Sequence, residues 1–242
     1  LKAVPGMSLL MEKIFQYGFD ELSWSENVTT NLRLSEKQMP EIYNRLLPIC
    51  KRLGIPVPEL YVQMTPIINS WTSGHSRPYI VLTLGLIRRI KGEELDAVLA
   101  HECGHILCKH VLYNSVVELL SELGERYGLI SYTLSGPMYL ALQYWSRRSE
   151  LSADRCAAAV MGEETFQRMT MKMASGLTEI GNDSYQFVRQ AKEYHRHENH
   201  SLWNKVQQNC RMAFYSHPQM VNRAYEIDRW KCSSVYRKYQ NH

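Results

Sequence analysis

The sequence lacks the features that mark several classes of protein. It has no block of like charges, and 28 Lys and Arg against 24 Asp and Glu leave a net charge of only +4, so nucleic acid is not expected as a partner. Its six cysteines lie far apart and form no CxxC pair, which favours the reduced thiols of a cytosolic protein over a disulfide framework. No internal repeat or low-complexity linker divides the 242 residues, so we expect one globular domain.

A recognisable secretory signal is also missing from the start of the sequence. Residues 1–6 contain no apolar core with a cleavage site, although residue 1 is not Met and an upstream segment stays an open alternative. Residues 127–146 carry no charge and are long enough to cross a bilayer, but Gly136-Pro137 interrupts them, which predicts two shorter helices meeting at a turn. The sequence therefore predicts a cytoplasmic protein, with membrane association through residues 127–146 or an upstream segment as the alternative.

Strand-like sequence is scarce and lies in the first part of the chain. The strand-like residues at 60–64 and 79–84, with the polar-aromatic stretch 69–73 between them, predict a small sheet of three to four strands. Residues 74–78 have the composition of a hairpin loop, so we expect the last two of these strands to be neighbours.

Helical periodicity dominates the rest of the sequence. We expect Ser35 to cap a helix over residues 36–53 and Gly54 to end it. The other predicted helices cover residues 5–17, 93–110, 114–127, 137–161, 163–174, 183–195, 202–214 and 218–229. The fold class is therefore α+β and mostly helical, and we expect a single domain over 1–242, with an N-terminal helical part at 1–58 and a core at 59–242 that carries the chemistry.

The motif His101-Glu102-Cys103-Gly104-His105 falls within the predicted helix 93–110. Residues i and i+4 of a helix share one face, so His101 and His105 can bind the same metal ion. Glu102 lies beside that face, where it can take a proton from a metal-activated water. Gly104 allows another segment to pack close to the helix. The spacing is typical of zinc hydrolases; the alternative is a pair of ordinary surface or core histidines.

A catalytic zinc ion needs a third protein ligand, and the sequence narrows the choice. Metzincins require Gly at position 108 and His at position 111, but this chain has Cys108 and Val111, which excludes that class. The downstream candidates are Glu118, Glu122, Glu125 and Glu150. Glu150 is followed one turn further on by Asp154, whose carboxylate can fix a histidine tautomer, and the small residues Ala153, Ala157, Ala158 and Ala159 suit close helix packing around a site. We therefore predict Glu150 as the third ligand.

Three further assignments stay open on spacing alone. Glu150 has an alternative as a solvated side chain beside Arg147 and Arg148. His217, held between Ser216 and Pro218 at a helix entry, could be a fourth ligand or a donor to an oxyanion. Arg223 could pair with a carboxylate or bind substrate. Ordinary capping and surface roles are equally open for the last two.

Together these residues resemble the HtpX-like zinc metallopeptidases, the gluzincin family that also contains the CAAX prenyl proteases. The resemblance spans roughly residues 60–228. It rests on Asn69-Ser70-Trp71-Thr72, Tyr79-Ile80-Val81-Leu82-Thr83, Leu99-Ala100-His101-Glu102-Cys103-Gly104-His105, Glu150-Leu151-Ser152-Ala153-Asp154, Ser216-His217-Pro218 and Arg223.

The resemblance implies a zincin-like fold with one zinc ion per chain. Members of the HtpX type carry strong transmembrane hairpins, and here only residues 127–146 occupy that interval, so a soluble member is expected. The site residues that it implies are His101, His105 and Glu150 as zinc ligands, Glu102 as base, Asp154 beside the ligands, and His217 and Arg223 lining the active site.

The predicted function is a zinc-dependent endopeptidase that acts on protein or peptide substrates. A substrate strand would bind antiparallel to the edge segment Asn69-Ser70-Trp71-Thr72, mainly through its main chain. Glu102 would take a proton from the zinc-activated water and deliver it to the leaving amine, and His217 would stabilise the oxyanion. The alternative is a latent or non-catalytic relative that binds partners, with zinc in a closed site. The intact Glu102 favours the enzyme, because a purely structural site needs no base.

Overall fold

The computed structural model describes residues 20–111, 129–177, 184–198 and 219–240. In these ranges the chain has the predicted α+β fold, mostly helical with a small mixed sheet. The strands are β1 (Leu32–Leu34), β2 (Glu59–Gln63), β3 (Ser70–Ser73) and β4 (Tyr79–Thr83). The helices are α1 (Asp20–Thr30), α2 (Pro40–Leu53), α3 (Leu84–Arg89), α4 (Glu93–Leu107), α5 (Leu129–Met161), α6 (Glu163–Ser175), α7 (Tyr185–Glu198), α8 (Met220–Trp230) and α9 (Ser234–Gln240).

The sheet has the strand order β1-β2-β4-β3. Its central strands β2 and β4 are parallel, and each edge strand is antiparallel to its neighbour. The predicted hairpin is confirmed, because Ser73 of β3 faces Tyr79 of β4 across residues 74–78. All five residues of β4 are buried, which its continuous apolar sequence Tyr79–Leu82 explains. β3 is thus an edge strand with one side paired to β4.

The predicted start of the helix over residues 36–53 is wrong, and its predicted end is confirmed. Ser35 does not cap α2; it closes a tight turn with Gln38 through two backbone hydrogen bonds, and Met39 (φ 54°) precedes the helix. A proline in the first turn of α2 explains the later start, because its fixed φ suits that turn. Gly54 ends the helix in the left-handed conformation (φ 66°), which a residue with a side chain adopts less easily.

Four short or weakly patterned elements are not predicted by the sequence. They are α1, β1, α3 and α9. β1 matters most, because it pairs with β2 and brings the N-terminal part of the chain into the sheet. Residues 1–58 are therefore not only helical. A three-residue strand has too few residues to show alternation, which is why its pattern is not recognisable in the sequence.

The predicted break at Gly136-Pro137 is wrong, because both residues lie inside the single helix α5. An internal proline removes one backbone hydrogen bond, and the other bonds of this 33-residue helix outweigh that loss. Among the described residues, no helix combines the length and apolar character needed to cross a membrane. The predicted helices 5–17, 114–127 and 202–214 lie outside the described residues.

Helix α4 lies at the centre of the fold, between α2, α5 and α6. From Ala97 to His105 every residue is buried, so the helix has no solvent-facing side over this stretch. The apolar members Leu99, Ala100 and Cys103 belong to the main hydrophobic core. A buried helix that also carries two histidines and a glutamate must satisfy their polar atoms inside the protein.

Gly104 sets the distance between α4 and α5. A Cβ atom at this position would lie 2.9 Å from the Cβ of Cys156 and 3.0 Å from the Cα of Ala153. Both distances are shorter than van der Waals contact, and the second involves backbone that cannot rotate away. The close packing expected of Gly104 is therefore present. This packing keeps α4 and α5, which carry the site residues described below, close together.

Replacing Gly104 with Ala should therefore destabilise the protein. Alanine gains about 1 kcal/mol in helix propensity, but forcing α4 and α5 apart costs about 1–3 kcal/mol for the clash and its spread through the core. We expect a net loss in the free energy of unfolding, measured by urea denaturation with tryptophan fluorescence. A G104A variant more stable than the wild type would contradict the close packing seen here.

Candidate active site

His101, His105 and Glu150 present their side-chain donor atoms to one point. The two histidines lie one turn apart on α4, and Glu150 projects from α5, which packs directly against it. The Nε2 atoms of His101 and His105 are 3.1 Å apart. The Glu150 carboxylate oxygens lie 3.5 Å from Nε2 of His101 and 3.3 Å from Nε2 of His105. All three residues are buried, which excludes the alternative of a solvated Glu150.

These separations fit a tetrahedral metal ion. Zinc binds imidazole nitrogen at about 2.0–2.1 Å, which places neighbouring tetrahedral ligand atoms about 3.3 Å apart. The two Nε2 atoms lie at 3.1 Å, and each has one oxygen of the Glu150 carboxylate at 3.3 or 3.5 Å, close to that value. Within the described residues, this is the group of histidine, cysteine or acidic side chains arranged to hold a metal ion. Two neutral imidazoles and one carboxylate suit zinc chemistry with an open fourth position.

His101 is oriented by Asp154, as the sequence predicted for a second carboxylate one turn beyond Glu150. The Nδ1 atom of His101 lies 2.9 Å from Oδ1 of Asp154. Burial alone would lower the pKa of His101, but its hydrogen bonds with Asp154 and Glu150 outweigh burial and raise it to about 10. The carboxylates thus make this buried pocket favourable for a positive charge, whether carried by the imidazole or by a metal ion.

Arg223, on helix α8, supplies the positive charge that pairs with Asp154. Its Nε and Nη2 atoms form two hydrogen bonds with the carboxylate of Asp154, with Nε at 2.9 Å from Oδ2. Burial favours loss of the Arg223 charge, but the charge of Asp154 outweighs this and raises the pKa of the guanidinium. Burial likewise favours the neutral form of Asp154, but Arg223 and His101 hold the pKa of Asp154 below its usual value. Of the two roles left open for Arg223, the structure shows the carboxylate pair.

His105 has a partner that the sequence analysis missed. Its Nδ1 atom lies 3.1 Å from Nδ1 of His110, whose Nε2 lies 3.2 Å from the hydroxyl of Ser152. The chain reaches this position because Lys109 adopts a left-handed conformation (φ 56°) just beyond the end of α4. Burial, and then the neighbouring His105, lower the pKa of His110 to about 4. A neutral His110 can accept the Nδ1 proton of His105, which leaves Nε2 of His105 for a metal ion.

Glu102 contacts the edge strand β3. The hydroxyl of Ser70 donates to Oε1 of Glu102, and the hydroxyl of Thr72 donates to Oε2, both at 2.7 Å. Trp71, between them, points to the other face of the sheet and packs against Tyr61, Tyr79 and Val81. Ser70 and Thr72 belong to the predicted substrate edge, but their contacts with Glu102 are not predicted by the sequence.

A cleft of about 250 Å³ is lined by the residues described above. The predicted substrate segment Asn69-Ser70-Trp71-Thr72 lines one side of it, together with Glu102 and the three donor residues. Its apolar lining includes Met169, Met173 and Met220. His217 lies outside the described residues, as do Glu118, Glu122 and Glu125. The cleft thus combines a strand edge, an acidic side chain, a metal-binding cluster and an apolar lining.

Comparison with known proteins gives the family of this chain. The sequence model of peptidase family M48 matches residues 34–231, which include all the described site residues. The chain belongs to peptidase family M48. The match confirms, at the level of the family, the resemblance to HtpX-like metallopeptidases seen in the sequence, and members of this family are metallopeptidases.

Individual relatives agree with this assignment. The plastoglobule-localized metallopeptidase 48 of Arabidopsis thaliana is 29% identical over 242 residues, covering 98% of this chain and 70% of that protein. A protease HtpX homolog of Pelotomaculum thermopropionicum is 32% identical over 112 residues, covering 46% of this chain but only 39% of that protein. The chain therefore spans well under half the length of this HtpX relative.

The fold is shared with a solved structure. The crystal structure of S. mikatae Ste24p matches with a TM-score of 0.55 and 16% sequence identity, covering 91% of this chain and 56% of that one. This likeness shows the fold and is consistent with the zincin-like α+β domain predicted from the sequence.

Proposed function

We propose that this M48 member is a zinc-dependent endopeptidase with one zinc ion per chain. The observation that carries the proposal is the cluster of His101, His105 and Glu150, whose two Nε2 atoms lie 3.1 Å apart and each within 3.5 Å of a Glu150 oxygen, next to Glu102 in a cleft bordered by an edge strand. Burial of all three residues supports a built site rather than a surface cluster.

Each described residue then has a defined task. His101, His105 and Glu150 would hold the zinc ion, which would supply Lewis-acid chemistry toward a carbonyl group and water. The Glu102 carboxylate accepts a proton from the attacking water and transfers it to the nitrogen of the leaving amine. Asp154 and Arg223 keep the imidazole of His101 in place. His217, from the sequence pattern, is proposed as an oxyanion donor or as a fourth ligand in the resting protein.

The substrates proposed are extended segments of proteins or peptides. The outer side of β3 is free of pairing with any described strand, and a peptide can add to it as a further antiparallel strand. Such binding reads the main chain, so it accepts many sequences. The methionines that line the cleft favour an apolar side chain next to the scissile bond, because Met adapts to apolar groups of different shape.

Location and domain organisation are proposed from the cysteines and the sequence. The cysteines of the described residues are free thiols, which supports the cytoplasmic location predicted from their spacing. We retain a single peptidase domain over residues 1–242, with its catalytic core at 59–242.

The function is tested by cleavage of an unfolded protein, with metal analysis of the same preparation. Wild-type protein should carry one zinc ion per chain and cleave reduced, alkylated lysozyme. A chelator should remove both the zinc and the cleavage, and stoichiometric zinc should restore them. Zinc at one per chain without cleavage under any condition would contradict the enzyme and favour the partner-binding alternative.

The contact between His110 and His105 gives a prediction on zinc affinity. Replacing His110 with Ala should weaken zinc binding by about 10- to 100-fold, because the ring of His105 loses the acceptor that fixes its orientation. Competition with a chromophoric chelator measures the affinity. Replacement of His75, which is half-buried in the loop 74–78 and is not one of the site residues, with Ala provides the control and should leave zinc affinity unchanged. Equal affinities for wild type and H110A would show that His110 does not orient His105.

A further inference from the structure

We propose that Ser70 and Thr72 are positioning residues that link the docking of a substrate on β3 to the orientation of the base Glu102. The inference rests on the proposed function, because it assigns Glu102 the task of moving a proton. The side chains of Ser70 and Thr72 thereby have a role of their own, because a peptide that binds β3 through its main chain does not need their hydroxyls.

The geometry connects the strand to both oxygens of the carboxylate. Ser70 and Thr72 are two residues apart in β3, so their side chains lie on the same face of the sheet. Each hydroxyl donates to a different oxygen of Glu102 at 2.7 Å, and Thr72 also lies 3.2 Å from the backbone carbonyl of Glu102. Among the described residues, these two hydroxyls are the hydrogen-bond donors to this carboxylate.

Two donors fix the carboxylate without using all its capacity. A carboxylate has about four lone-pair positions, so two remain to accept a proton from water. A glutamate side chain that is held at both oxygens has lost most of its rotational freedom before the reaction begins. A base that is already oriented contributes more to the rate than one that must be ordered during the reaction.

The same strand would bind the substrate, which couples the two events. Hydrogen bonds between β3 and a peptide run in the plane of the sheet, whereas the hydroxyls of Ser70 and Thr72 leave the sheet toward α4. A change in the position of β3 therefore moves both donors and with them the carboxylate. Removal of the hydroxyls leaves the main-chain edge intact, so the effect should fall on kcat and not on KM.

A purely structural role would have different consequences. If the hydroxyls only anchored β3 to α4, their loss would displace the strand, raise KM and lower the stability of the protein. The Thr72→Val variant separates the two roles, because valine has nearly the same shape as threonine but no hydroxyl. The Thr72→Ser variant keeps the hydroxyl and loses the methyl group.

The experiment compares kcat, KM and zinc content for a fluorogenic peptide. We expect S70A and T72V to lower kcat about 10-fold each and about 100-fold together, with KM within about twofold of wild type and zinc still at one per chain. T72S should restore kcat to within about twofold. Replacement of the exposed Thr29 with Val, whose hydroxyl bonds only to its own helix, should change nothing.

The outcomes separate this inference from the function on which it rests. An active wild type whose kcat is unchanged in T72V, or whose loss in T72V lies in KM or zinc content, overturns the positioning role and leaves the peptidase intact. An inactive zinc-loaded wild type overturns the peptidase itself. A crystal structure of the S70A/T72V protein checks folding independently: the Glu102 carboxylate should leave its wild-type orientation while β3 stays in place.

Discussion

A Glu102→Gln variant is expected to lose about 10³-fold in kcat while keeping one zinc ion per chain. The amide has the size of the carboxylate but cannot accept a proton from water, so the proton transfer that the reaction needs has no base. Glu102 is not one of the three residues that could hold the metal ion, which are His101, His105 and Glu150. Its loss should therefore affect the chemistry and not the binding of zinc. The measurement is peptide turnover, with zinc content determined on the same sample.

A second glutamate on the same helix provides the control. Glu93 lies in the first turn of α4, with 69% of its side chain exposed, and bonds to Arg168 at the surface. E93Q should retain the wild-type kcat and zinc content. If E102Q cleaved peptides at a rate close to wild type, the base would be another group, and the central assignment of the mechanism would be wrong.

The second large effect concerns the buried pair of Asp154 and Arg223. Replacing Asp154 with Asn should reduce the free energy of unfolding by about 3 kcal/mol or more, because the buried guanidinium of Arg223 loses the carboxylate with which it is paired. The same change should weaken zinc binding by about 10- to 100-fold, because His101 loses its orienting carboxylate. Denaturant titration measures the first effect and chelator competition the second.

A double-mutant cycle distinguishes the pair from the single residues. Combining Asp154→Leu with Arg223→Met removes both charges and should cost less than the sum of the two single changes. The exposed pair of Arg189 and Glu193, with more than half of each side chain in solvent, is the control. R189M should change stability by no more than about 0.5 kcal/mol. Additive effects at Asp154 and Arg223 would show that the two charges do not stabilise each other.

The sequence predicted the parts of the site that depend on regular helix geometry. His101 and His105 share a helix face by their spacing, and Glu150 with Asp154 repeats that spacing on a second helix. Such patterns can be read without the fold, because the periodicity of a helix fixes which side chains are neighbours. The structure adds that Gly104 brings the two helices close enough for the pairs to meet.

The contacts that sequence analysis missed depend on tertiary structure. His110 contacts His105 because Lys109 adopts a left-handed conformation just after the end of α4. No periodic pattern in the sequence predicts such a turn. Ser70 and Thr72 contact Glu102 because β3 passes over α4, which requires the strand order of the sheet. A serine two residues before a threonine in a strand indicates only that both lie on one face.

Two errors in the fold have a common origin in local signals. Ser35 is a good capping residue, but the turn that it forms with Gln38 takes its backbone groups, and the helix begins later at a proline. Gly136-Pro137 is a strong breaker by itself, but it lies inside a long helix. In both cases the neighbouring structure outweighs a local preference of about 1–3 kcal/mol.

Zinc content and peptide cleavage, measured together on wild type and Glu150→Ala, test the account most directly. Of the three proposed zinc ligands, Glu150 is the one outside the segment His101–His105, so its role depends on the packing of α5 against α4. Wild type should bind one zinc ion per chain and cleave an unfolded protein, and E150A should have lost both properties at matched zinc concentration. An E150A protein that keeps its zinc and its activity would contradict the proposed metal site.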